Sequence, residues 1–99
     1  MDYSTKYIDE CFKVLLDLGI IDSKYQFSEQ FLGKCKNYYG VICSEKRKAS
    51  NDLLYNLNQK MKQIAECFDD ERLKPLVAKG KSILNERIAK IVERFYKTV

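Results

Sequence analysis

The chain has no histidine, and that absence removes more chemistry than any other feature of its composition. Without an imidazole there is no mixed cysteine–histidine zinc site, and a cysteine nucleophile would lack the base that usually takes its proton. Cys11, Cys35, Cys43 and Cys67 include no C-x-x-C pair. No metal is therefore expected, and the cysteines read as free thiols, buried or partly buried, in a reducing compartment. G-x-S-x-G, H-E-x-x-H and a phosphate-binding loop are also missing. Asp69 and Asp70 adjoin, but in what reads as an interhelix loop, where helix capping explains them better than acid–base work. No enzyme is expected, nor a cofactor or a small-molecule ligand.

Breakers are scarce too. One proline and four glycines among 99 residues are too few for a many-stranded β protein. No apolar run approaches the roughly 18 residues of a membrane-spanning helix. The first residues, MDYSTKYIDE, carry acids where a signal peptide would be basic. A cytoplasmic protein without membrane contact is the expectation. What is present suits one helical domain over residues 1–99. Hydrophobic residues make up 45%, with seven Tyr and five Phe, enough for one modest core, and Leu, Ile, Lys and Glu recur at helical spacing.

The periodicity gives an all-α fold of four to five helices. Tyr7, Ile8, Cys11, Phe12, Leu15 and Leu16 mark a first helix from about Thr5 to Leu18, with Gly19 in the place of a C-terminal cap. A second helix begins between Ser23 and Gln26 and ends near Leu32 and Gly33, and a third runs from about Lys36 to Ser44. Ser50 to Asp52 form an N-cap signature for a fourth, striped by Leu53, Leu54, Leu57, Met61, Ile64, Ala65 and Phe68. Asp69 to Glu71 interrupt it. A long amphipathic helix then covers about 72–97, with Pro75 tolerable in its first turn and Gly80 expected to weaken its middle.

The order helix, glycine-centred break, helix, basic cluster between Phe27 and Ser50 is what a helix-turn-helix needs. The segment about 23–62 resembles the lambda-repressor-like, Cro/CI or Xre-type, helix-turn-helix family. The run Gly33-Lys34-Cys35-Lys36-Asn37-Tyr38-Tyr39-Gly40-Val41-Ile42 stands as that family's turn and recognition helix. Lys46-Arg47-Lys48-Ala49-Ser50 stands as its basic loop and following N-cap. FSEQFLG also resembles small bacterial and mobile-element proteins with an F-S-x-x-aromatic-L-G pattern. Two registers fit. If Gly33 is the turn glycine, Glu29 falls where a small buried residue is expected; if Ser28 takes that place, the turn gains a residue. Cys43 stands where the family has an acid, and Ala49 where proline is common.

The resemblance implies a transcriptional regulator that binds double-stranded DNA through its third helix. Lys36, Asn37 and Tyr38 would face the groove: asparagine pairs with adenine, lysine donates to guanine, and tyrosine reaches phosphate or a thymine methyl. Gly40 would permit close approach. Lys34, Lys46, Arg47 and Lys48 would contact phosphates, in keeping with a formal net charge of +4. A plainer reading makes Lys46 to Lys48 a solvated loop and buries Tyr39 against the first helix. In the last helix, Leu84, Ile88, Ile91 and Phe95 recur near heptad spacing. They suit packing onto the first and fourth helices, or a homodimer that would bind two half-sites. The alternative function is a helical protein-interaction module, an adaptor or inhibitor without DNA binding.

Overall fold

A computed structural model describes residues 3–45 and 49–97, and within them the side chains of 4–44 and 49–93. The fold is all-helical: α1 Tyr3–Asp17, α2 Lys24–Gln30, α3 Tyr38–Glu45, α4 Asn51–Cys67 and α5 Leu73–Lys97. No strand occurs among the described residues.

Local chemistry sets the helix ends. After α1, Gly19 adopts φ +76°. Its N–H donates to Leu16 and that of Ile20 to Leu15, at 3.1 and 3.0 Å. This is the paired bonding of a Schellman turn, which glycine reaches without a Cβ penalty. Ser23 caps α2 by accepting from Gln26 N, and the Gln26 side chain accepts from Asp22 N, a reciprocal arrangement that satisfies two orphan donors. Ser50 caps α4 by accepting from Leu53 N. Before α5, Asp70 accepts the N–H of Arg72 and Pro75 falls in the first turn, where its missing donor costs nothing. Asp70 thus works as the local capping acid that its place in a loop implied.

Two packed units share α1. On one side Phe12 of α1, Phe27 of α2 and Tyr39 of α3 meet, with ring centroids 4.8 to 5.4 Å apart and Phe27 edge-on to both partners. On the other, α4 and α5 form an antiparallel hairpin against α1 through Leu53, Leu54, Leu57, Met61, Leu73 and Leu76, all buried.

Between α1, α4 and α5 lies one buried polar link. Asn58 Nδ2 donates to the Tyr7 hydroxyl at 3.2 Å and to the Val77 carbonyl at 3.0 Å. Gly80 makes room for it: a Cβ there would stand 2.5 Å from the Tyr7 ring tip and from Asn58 Nδ2. The glycine that periodicity marks as a weak point is therefore the contact that lets α5 close on α1. Burial, the largest cause, pushes the Tyr7 phenol above its ordinary range and the neighbouring Cys11 thiol up to about 12.

Candidate nucleic-acid interface

α3 is short, and tertiary contacts fix it. Tyr39 and Ile42 turn inward and are buried. The Tyr39 hydroxyl donates to Asp9 of α1 at 2.6 Å, and its backbone N–H donates to Ser28 Oγ of α2 at 2.9 Å. That N–H belongs to the first turn of α3 and has no partner within the helix. Ser28, which itself donates to the Lys24 carbonyl at 3.0 Å, therefore caps α3 from a different helix. Ser28 is fully buried and Glu29 exposed, so of these two neighbours Ser28 is the small residue turned into the core. Burial works to raise the Asp9 pKa, but the hydrogen bonds from Tyr39 and Lys13 outweigh it, and the carboxyl lies below its ordinary value. Burial first, and Asp9 second, push the Tyr39 phenol well above its usual range.

The connection between α2 and α3 spans residues 31–37, longer than the three or four residues of a tight helix-turn-helix. Phe31 and Leu32 use the extra length to dip into the core, and Gly33 takes φ +64° at the bend. Consequently α3 begins at Tyr38 and not at Lys36. Asn37 occupies the N-cap position, its carbonyl accepting from Val41 N at 3.1 Å. Lys34 and Lys36 stand in the turn, exposed, and the Lys34 ammonium lies 5.8 Å from the centre of the Tyr38 ring. Tyr38 is half-buried at the flank of α3, and Tyr39 is the buried member of the pair, as expected.

The outward face of α3 consists of Asn37, Gly40, Val41 and Ser44, all exposed and spaced as one helical stripe. Nothing lies within 4 Å of a Cβ built on Gly40. Among the described residues the Asn37 amide has no hydrogen-bond partner. Val41 and Ser44 escaped the reading from sequence, although their offsets of four and seven from Asn37 carry the signal. Lys46, Arg47 and Lys48 lie outside the described residues.

The ridge on α5 divides at Leu84, which is half-buried against the core, whereas Ile88 and Ile91 are 56% and 48% exposed and Val92 stands beside them at 45%. The helix outruns its partner. Arg87 reaches the Ala49 carbonyl and Asn51 at the start of α4, so the residues after it extend past that end of the hairpin. The Phe95 side chain lies outside the described part. Intramolecular packing onto α1 and α4 thus accounts for the first half of α5, and among the described side chains it leaves Ile88, Ile91 and Val92 uncovered.

The cysteines depart from expectation. All four are free, but only Cys11 is buried, and Cys35, Cys43 and Cys67 are exposed. Cys35 lies in the turn before α3, and Cys43 lies within α3, one turn after Tyr39. Among the described residues no cluster of acids and thiols is placed to hold a metal ion, and no helix is long and apolar enough to cross a membrane. A shallow groove between α1 and α5 has Glu10, Glu71, Arg72 and Lys79 in its lining, and most of this charge is engaged in ion pairs: Lys79 with Glu10 at 2.8 Å, Arg72 with Asp17 at 2.6 Å and with Asp70 at 3.0 Å.

Compared with known proteins, residues 8–97 match the model of one family, described as a family of unknown function (DUF6626). No curated protein and no solved structure matches the chain.

Proposed function

We propose, from the premise that the chain belongs to the DUF6626 family and that this family's description assigns no activity, that the protein is a small DNA-binding regulator and not an enzyme. It would lay α3 in the major groove of duplex DNA. The observation that carries this reading is the division of labour on α3. Its inward residues are pinned by α1 and α2, while Asn37, Gly40, Val41 and Ser44 form an exposed face of low relief beside the cations Lys34 and Lys36. A short helix held rigidly by its neighbours, with a lean outer face and flanking positive charge, matches what groove entry requires. Lys46, Arg47 and Lys48 follow α3 in sequence and would add phosphate contacts. Free thiols suit a reducing, cytoplasmic setting.

The reading includes a homodimer. Ile88, Ile91 and Val92 form an apolar strip beyond the N-terminus of α4, and Leu84 and Phe95 continue its spacing in sequence. A second copy covering that strip would present two α3 helices to two half-sites.

A protein-interaction module is the second reading. Val41 is 40% exposed beside half-buried Tyr38, and α3 itself carries no lysine or arginine. That patch suits a protein surface better than a purely electrostatic DNA contact.

Fluorescence anisotropy on a mixed genomic duplex at low and moderate salt separates the two. DNA binding predicts an affinity that falls with salt and is abolished by Lys36→Glu with Arg47→Glu. Absence of binding at low salt would refute it and favour the interaction module.

A further inference from the structure

We infer that the α3 face reads adenine–thymine pairs, so that the preferred duplex is A·T-rich at the bases α3 touches. The inference rests on the DNA-binding reading and adds the class of site recognised.

Guanine is read in the major groove chiefly by arginine or lysine at O6 and N7. α3 has neither: its residues are Tyr38, Tyr39, Gly40, Val41, Ile42, Cys43, Ser44 and Glu45. Glu45 is its only charged residue and comes last, whereas base edges are met by the N-terminal part of a recognition helix. The nearest cations precede the helix. Lys36 is two residues before its first turn, and Lys34 is held back over the Tyr38 ring at 5.8 Å. Both stand exposed in the turn before the helix, where they would meet backbone phosphates.

The groups that do face outward have a different chemistry. Asn37 holds an amide with no partner among the described residues, one helical turn from Val41. An amide pairs bidentately with adenine N6 and N7. Val41 offers exposed methyl groups, which suit the thymine C5 methyl. Gly40 between them has open space where a side chain would stand, so the helix backbone can come close to the base edge. Amide, bare backbone and branched methyls in one stripe offer an adenine partner and a thymine partner, while Ser44, late in the helix, favours no base and no bidentate donor faces guanine.

Selection from a random duplex pool, followed by anisotropy on the selected site, tests this. The expected result is a half-site with consecutive A·T pairs. Replacing its thymines by uracil, which removes only the methyl, should weaken wild-type binding about fourfold, the value of one buried methyl. Val41→Ala should bind the thymine and uracil sites alike, and Asn37→Ala should lose about tenfold or more of its discrimination at one adenine. Lys36→Gln should weaken all sites equally and lower the salt slope by about one.

A guanine-centred site, or a Lys36→Gln variant that changes base preference, would overturn the inference and leave the DNA-binding reading intact. An A·T-rich site insensitive to uracil and to both α3 variants would also overturn it, because the preference would then come from DNA shape. No binding to any duplex at low salt would overturn both.

Discussion

Substituting Gly80 by alanine sets two rules of helix energetics against each other, and the structure decides between them. In an exposed helix interior the change would stabilise by about 1 kcal/mol, since alanine loses less backbone entropy. At Gly80 the added Cβ would stand 2.5 Å from Tyr7 Cζ and Oη and 2.5 Å from Asn58 Nδ2. Those atoms cannot yield cheaply. Tyr7 is fully buried, and Asn58 is committed to the Tyr7 hydroxyl and the Val77 carbonyl. Forcing a methyl into a filled site costs about 1–3 kcal/mol, and shifting the Asn58 amide away from one of its two partners loses about 1 kcal/mol more. With the propensity gain of about 1 kcal/mol subtracted, Gly80→Ala should destabilise by about 2 kcal/mol. At an m value of about 1 kcal/mol/M, the urea midpoint should fall by about 2 M. The same substitution in a Tyr7→Leu background, which removes the ring tip, should cost less, and the difference is the coupling through the contact. An unchanged or raised midpoint for the single variant would refute the argument, showing that α5 tolerates a side chain facing α1.

Other perturbations probe the anchoring of α3 and the state of the thiols. Ser28→Ala leaves the buried Tyr39 N–H without its acceptor and should cost about 1–3 kcal/mol in urea unfolding, whereas Glu29→Ala, one residue on and exposed, should change little. Asp9, whose carboxyl is held below its ordinary value in the folded chain, contributes stability above its unfolded-state pKa that is lost as the pH falls through the lower folded value. Asp9→Asn should therefore flatten the acid limb of a pH–stability profile, and Tyr39→Phe should return the Asp9 titration towards normal by NMR. Thiol labelling of the native chain near pH 8 should modify Cys35, Cys43 and Cys67, leaving Cys11 unreacted until the protein unfolds, because its thiol is buried with a pKa of about 12.

Helix existence was legible because the information is local. The stripe of Leu53, Leu57 and Met61, the serines at 23 and 50, and Gly19 each act within a few residues, and all occupy the roles their spacing implied. The burial of Tyr39 was readable for a similar reason, a large aromatic in a short helix having few other places to go. Contacts between distant segments were not. Nothing around Gly80 in sequence reveals Tyr7 and Asn58, and nothing around Ser28 reveals that its hydroxyl caps a helix beginning ten residues later. The start of α3, at Tyr38 in place of Lys36, has the same cause. Lys36 and Asn37 continue a helical pattern in sequence, but Phe31 and Leu32 are drawn into the core and lengthen the turn. The exposure of Cys35, Cys43 and Cys67 is not legible because burial of a small side chain depends on what lies opposite, which spacing alone leaves open.

The way α3 is held separates its upkeep from its use. The hydrogen bonds from α1 and α2 reach the helix through Tyr39, on the inward side that Ile42 shares, and half-buried Tyr38 packs at the flank. Asn37, Gly40, Val41 and Ser44 project the other way and are spared that duty. On the DNA-binding reading, their substitution would alter what the surface recognises at little expense to folding. A library confined to those four positions would sample new recognition with most of its members still folded.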